Sequence, residues 1–221
     1  MSKVTAIRSK RGRGERVGVF LDSKFAFSLE AEVALREGLK TGQELSSSQI
    51  EELLGSDRFY RCLNSAHHHL SYRPRSEAEL RIKLNRRGFD NETIQAVLKR
   101  LKEQGLVDDL AFAQFWKENR KTFSPRSQYL TRLELRQKGV AGEVIEQVIS
   151  ELDDEESAYR AAQSKANRLK TTDYQVFYRR LGDYLKRRGF NYTVINSTVK
   201  RIWQESQKTY HGVSDEESQN G

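Results

Sequence analysis

Three stretches of the chain repeat one pattern. They are Leu84-Asn85-Arg86-Arg87-Gly88-Phe89, Leu135-Arg136-Gln137-Lys138-Gly139-Val140 and Leu185-Lys186-Arg187-Arg188-Gly189-Phe190, with glycines 51 and then 50 residues apart. Downstream, Ile94, Ile145 and Ile195 fall in register. So do Val97 and Val148, then Leu98, Ile149 and Val199, then Leu101, Leu152 and Ile202. Upstream, Pro74-Arg75-Ser76 matches Pro125-Arg126-Ser127, and these are the two prolines of the chain. A fixed period with matching apolar positions is the signature of a tandem array whose units extend one core by stacking.

Each unit reads as three helices. In the first, Phe59, Leu63, Ala66 and Leu70 form one helical stripe, and Pro74 interrupts it. Ser76 is placed to cap a second helix, with Glu79 three residues on as a capping box. Gly88 can end that helix in a left-handed conformation. Asp90 can cap the third helix, and Phe89 with Ile94 has the spacing of a hydrophobic staple. The staple recurs as Val140 with Ile145 and as Phe190 with Ile195. Asn191 repeats the cap, but Ala141 cannot, so the third helix of the middle unit should start less sharply.

The first 55 residues differ. Val17, Val19 and Leu21 alternate with Gly18 and Phe20, and Phe25, Phe27 and Leu29 alternate beyond Asp22-Ser23-Lys24. This is a β-hairpin pattern, and Val4 to Ile7 can supply a third strand. Lys10-Arg11-Gly12-Arg13-Gly14 reads as an exposed basic loop. Short helices are expected from Glu30 to Glu37, stopping at Gly38, and from Ser48, with Glu51 as its capping-box partner. The expected fold class is therefore mainly α: tandem three-helix repeats in an elongated curved array with a small N-terminal β-rich segment. The expected divisions are 1–55, repeats at 56–108, 109–152 and 153–206, and a disordered tail at 207–221 that carries Asp215, Glu216 and Glu217.

Thirty-nine Lys and Arg against thirty-one Asp and Glu leave a net charge of +8, which calls for an acidic or polyanionic partner. The cations concentrate on the second helix of each repeat: Arg81, Lys83, Arg86 and Arg87, then Arg132, Arg136 and Lys138, then Arg179, Arg180, Lys186, Arg187 and Arg188. Arg73, Arg75 and Arg126 lie just upstream. With repeats stacked in one orientation they would form a basic strip, and guanidinium forks fit phosphate and carboxylate alike. The alternative is a set of solvated helix faces whose last-turn cations favour the helix dipole.

No catalytic constellation, metal-ligand set or cofactor motif appears. His67, His68 and His69 are adjacent, so on a helix they point about 100° apart and cannot share an ion. The seven acids between Glu143 and Glu156 cross a repeat junction and suit no two-metal site. Gly12-Arg13-Gly14 is too short for a P-loop. Trp116 and Trp203 lie on apolar stripes, where core packing is expected over base stacking; Phe115 and Tyr129 share that ambiguity. Cys62 is the one cysteine, so no internal disulfide can form, and a reducing cytoplasmic setting is expected. No apolar run approaches a membrane span.

The run from Leu70 to Leu80, with Lys83-Leu84 and Gly88-Phe89, resembles the RecX family of recombinase regulators. So do Gly105-Leu106-Val107-Asp108-Asp109 followed by Phe112-Ala113, and Glu134-Leu135 with Lys138-Gly139. The resemblance covers about residues 57–206, is looser in the third repeat, which lacks Pro-Arg-Ser, and makes the β-rich segment an extension found in some members. It implies a regulator of the RecA recombinase, acting in DNA recombination, repair and the SOS response. Such a protein would bind in the groove of the RecA filament on single-stranded DNA and inhibit its ATPase, extension and strand exchange, with no catalysis of its own. The chain is expected to act as a monomer. Arg73, Arg75, Arg81, Lys83, Arg86, Arg87, Arg126, Arg132, Arg136, Lys138, Arg187 and Arg188 are the candidate contacts to recombinase or DNA. The competing reading is a direct DNA-binding protein with helix-turn-helix-like units, against which stands the acidity of Glu143–Leu152.

Overall fold

The structure is a computed structural model that describes residues 1–10, 16–169, 171 and 173–217; for Lys10 and for 208–217 it describes the backbone alone. Most of the basic loop expected at Lys10–Gly14 therefore lies outside the described residues. Two compact units are present, Met1–Val107 and Asp108–Gly221.

The first unit opens with strands β1 (Ser2–Lys10), β2 (Arg16–Leu21) and β3 (Lys24–Glu30). The hairpin falls where alternation places it. Phe20 pairs with Phe25 and Leu21 with Lys24 across a two-residue turn, and both turn residues, Asp22 and Ser23, take positive φ (48° and 67°). That handedness matches the right-handed twist of the flanking strands. A short fourth strand, β4 (Glu44–Leu45), pairs with Ser2 and Lys3 and completes an antiparallel sheet of order β3-β2-β1-β4. Two residues are too few to show alternation, so this strand has no signature in the sequence. One sheet face buries Val4, Val19, Leu29 and Leu45 with Leu53. Helix α1 (Ala31–Arg36) adds Ala34 to this core, and Gly38 beyond it takes φ +64°.

The next helix differs from expectation in both start and length. Helix α2 runs unbroken from Ser47 to Leu70. Its cap is Ser46, whose hydroxyl accepts from the Gln49 N–H while the Gln49 side chain accepts from the Ser46 N–H (2.9 Å). Ser48 lies inside the helix, donating to Glu52. Three successive serines offer three caps, and the chain turns at the first because β4 ends immediately before it, leaving Ser46 extended. Gly55 is tolerated inside the helix, so the division expected at 55/56 falls within one rigid element that serves both sheet and first repeat.

Asp57 fastens that element to the sheet. It is buried, accepts from the Glu30 N–H (2.7 Å), and pairs with Arg16 at 3.1 Å; Arg61 lies 3.9 Å away on the next turn. Arg16 also donates to the Ser28 carbonyl (2.5 Å). A carboxylate removed from water must gain such partners to be tolerated.

Helices α3 (Glu77–Arg86) and α4 (Asn91–Glu103) complete the first bundle with the second half of α2. Ser76 accepts from the Glu79 N–H and Asp90 from the Thr93 N–H. The second unit holds two bundles of the same kind: α5 (Asp109–Phe123), α6 (Gln128–Gln137) and α7 (Gly142–Ile149), then α8 (Asp154–Ala166), α9 (Tyr174–Lys186) and α10 (Tyr192–Glu217). Ile94, Ile145 and Ile195 are each buried in a core, and Val97, Val148, Leu98, Ile149, Val199, Leu101 and Ile202 are buried with them. Asn191 caps α10 through the Val194 N–H, whereas Ala141 gives α7 no side-chain cap. Helix α10 continues to Glu217 through most of the segment expected as a disordered tail; no proline interrupts it. Residues 218–221 lie outside the described ones.

Gly88, Gly139 and Gly189 end the second helices with φ of +84°, +75° and +85°. The N–H of the following residue returns to the carbonyl of Leu84, Leu135 or Leu185. Gly189 carries a second constraint. A Cβ there would meet Ser127 Oγ at 2.5 Å and Leu130 Cβ at 2.8 Å, because the end of α9 seats on the start of α6, where the Ser127 N–H donates to the Arg188 carbonyl (3.0 Å). A Cβ at Gly88 would meet nothing within 4 Å.

Gly88→Ala is expected to cost about 1–2 kcal/mol from backbone strain alone. Gly189→Ala should cost about 1–3 kcal/mol more, from overpacking; equal losses in denaturant unfolding would refute the tight seat. Asp57→Ala should cost about 3 kcal/mol. Its amide exchange should quicken in β2 and β3 before it does in α3 and α4.

Candidate functional site

The twelve candidate cations do not share one environment. Four are neutralised by acids of the fold. Arg73 grips Glu79 with both terminal nitrogens (3.0 and 3.1 Å) and also donates to the Pro74 carbonyl. Arg81 pairs with Glu77 one turn back (2.8 Å), and Glu77 also takes Lys102, so its carboxyl is held below the usual range by these two partners, Lys102 foremost. Arg132 makes a two-pronged pair with Glu146 (2.7 and 2.9 Å). Arg126 donates to Glu134.

Glu134 is the hub of the second repeat. It accepts from the Trp116 indole N–H (2.8 Å), from Arg120 Nε (2.7 Å) and from Arg126. Lys138 lies 4.0 Å above the Trp116 ring and Arg120 lies 4.5 Å from it. Trp116 is thus committed to packing and to holding cations, a favourable use of an indole face. Trp203 packs on Phe177 and Tyr174. Phe115 is half-buried, and Tyr129 is exposed.

Two further candidates serve the fold. Arg75 is half-buried and gives its Nε to the His69 carbonyl (2.9 Å). Arg188 covers the Tyr184 ring at 4.2 Å. The remaining five, Lys83, Arg86, Arg87, Arg136 and Arg187, make no ion pair with the described residues. Arg86, Arg87, Arg136 and Arg187 are exposed and lie at or next to the C-terminus of a second helix, where positive charge is favoured by the helix dipole.

Three of these five, Lys83, Arg86 and Arg87, belong to the first repeat. Around His69 stand Arg87, Lys83, Arg75 and His68; burial first, then these neighbours in that order, hold the His69 ring below the ordinary histidine range. Its Nε2 is buried with no hydrogen-bond partner among the described residues. His67 and His68 are exposed, and no group of His, Cys, Asp or Glu among the described residues could hold a metal ion. Cys62 is buried, and its thiol is pushed up to about 11 by burial and then by the charge of Asp90, which makes it unreactive at neutral pH. No helix among the described residues is long and apolar enough to cross a membrane.

Comparison with known proteins follows this architecture domain by domain. The RecX N-terminal domain matches residues 2–46, and the first, second and third RecX three-helix domains match 62–101, 108–149 and 153–199. A regulatory protein RecX of Clostridium botulinum (strain Eklund 17B / Type B) is 33% identical over 206 residues, which span 90% of this chain and 96% of the relative. The chain belongs to the RecX family. A RecX of Clostridium perfringens (strain SM101 / Type A) is 30% identical over 91% of this chain and 97% of its own length. Two crystal structures of RecX proteins share the fold. One matches with a TM-score of 0.65 at 24% identity over 90% of this chain and 98% of its own. The other, from Lactobacillus salivarius, matches with 0.56 at 22% identity over 66% and 97%.

His69 gives a pH dependence with a defined sign. A ring held below its unfolded value of 6.5 binds fewer protons in the folded state. Its contribution is therefore present above about pH 6.5 and is lost on acidification below it. Between pH 7.5 and 5.5 the melting temperature of the wild type should fall more than that of His69→Gln; parallel curves would show that the ring is not under this charge.

Proposed function

We propose that the protein is a non-enzymatic regulator that binds the RecA–single-stranded DNA filament and inhibits its ATPase, extension and strand exchange. The observation that carries this reading is the ordered match to all four RecX domains, joined to a set of cations that make no ion pair among the described residues: Lys83, Arg86, Arg87, Arg136 and Arg187. A filament groove offers carboxylates and phosphates at a regular spacing. Repeated bundles with guanidinium groups at equivalent helix ends suit such a surface. Contacts to successive protomers would bias their relative rotation and so the nucleotide site between them.

Within the candidate set the unpaired cations do the binding. Arg73, Arg81, Arg126 and Arg132 act indirectly, by fixing the helices that carry them. Helix α7 exposes Glu143 and spends Glu146 on Arg132, which disfavours its use as a recognition helix in a DNA groove.

Charge reversal at Arg86 and Arg87 together is expected to weaken inhibition of DNA-dependent RecA ATPase at least tenfold, with the melting temperature within 2 °C of wild type, as is usual for surface changes of about 0.5 kcal/mol or less. Arg73→Glu should instead lower stability, because it leaves Glu79 facing a like charge. Steep, sequence-dependent binding to bare duplex DNA, with no effect on the filament, would overturn the reading.

A further inference from the structure

A cleft of about 450 Å³ opens in the first unit between the end of β3, the second half of α2 and the turn from α3 to α4. Its lining is Glu30, Arg61, Asn64, Ser65, His68, Arg87 and Phe89. We infer that this cleft is a phosphate site that takes a terminal phosphate monoester.

Ser65 carries the argument. It is 7% exposed, it lines the cleft, and its Oγ is buried with no hydrogen-bond partner among the described residues. A buried hydroxyl left unpaired is costly, and a native fold keeps one where something else completes it. The groups that share its cleft say what that is. Arg87 has no ion pair among the described residues, and Arg61 holds only a long contact of 3.9 Å to Asp57, whose carboxylate is already engaged by Arg16 and the Glu30 N–H. His68 is exposed beside them, its ring edge-on to Tyr72 at 5.1 Å and in weak contact with the Tyr72 hydroxyl at 3.5 Å. Lys83 and Arg75 add positive potential from beyond, as their effect on His69 attests.

Two guanidinium groups, an imidazole and a hydroxyl supply more donors than one carboxylate can use. The three terminal oxygens and near-double charge of a phosphate monoester match them better. Glu30 is the one acid of the lining. Its Oε2 accepts from Asn64 (3.1 Å), which tempers repulsion of an anion. Its remaining oxygen, with the half-buried Phe89 ring, suits a ligand body bearing hydroxyl or amino donors. A nucleotide or the phosphorylated end of a DNA strand would each present this group.

This inference goes beyond filament binding and does not rest on it. Arg61 and Ser65 lie outside the cations assigned to the filament, so their variants separate the two. The test titrates the full chain with inorganic phosphate, AMP and adenosine by calorimetry, and maps amide shifts. AMP and phosphate should bind, adenosine should not, and shifts should centre on residues 61–68 and 87–89. Arg61→Gln and Ser65→Ala should each weaken AMP at least fivefold while RecA ATPase inhibition stays unchanged. If Ser65→Ala proves unstable, Arg61→Gln decides, since its side chain is half exposed. Absence of phosphate binding, or binding indifferent to Arg61→Gln, overturns the site. A 5′-phosphorylated oligonucleotide that displaces AMP when its unphosphorylated form does not identifies a strand end as the source. Displacement by neither identifies a free nucleotide. Equal displacement by both shows that a backbone diester fills the cleft and overturns the monoester assignment.

Discussion

The reversal of the chain after the second helix of each bundle, made by a residue in the left-handed conformation, sets the position of nearly everything else. It returns the backbone to a leucine carbonyl, drops Phe89, Val140 or Phe190 into the core, and presents the third helix at the angle its apolar stripe needs. The preceding residue, Arg87, Lys138 or Arg188, then stands at a helix C-terminus, where a cation is favoured. One backbone requirement thus yields both closure of the bundle and the placement of its charge.

The same register position nonetheless serves three purposes. Five residues before the glycine stand Lys83, Glu134 and Tyr184. The first is a cation with no ion pair among the described residues, the second gathers Arg126, Arg120 and Trp116, and the third lies under Arg188. Repetition conserves the apolar skeleton because all three cores need it. The polar positions are free to diverge, and they decide which arginines remain available.

That contrast accounts for what could be read from the sequence. Alternation gave the hairpin, periodicity the three bundles, and spacing the caps at Ser76, Asp90 and Asn191. Each rests on neighbours within a few residues. The pairing of Arg73 with Glu79, or of Arg132 with Glu146, depends on how helices face each other, and composition counted all those arginines alike. Strand β4 and the true start of α2 escaped for a related reason: two residues carry no pattern, and three consecutive serines do not reveal which one meets the end of a strand. The cleft around Ser65 left no trace at all, since a serine among histidines looks like any helix surface until burial is known.

The unbroken course of α2 ties the N-terminal sheet to the first bundle mechanically. Ile50, Leu53 and Leu54 face the sheet, while Cys62 and Ala66 face the bundle, along one rod without a joint. A chain shorn of its sheet would leave the forward half of that rod greasy on one flank and would need polar replacements there to stay dispersed. Conversely, a torque applied to the sheet has a continuous helical path to the histidine end of the rod, since no break in α2 lies between them.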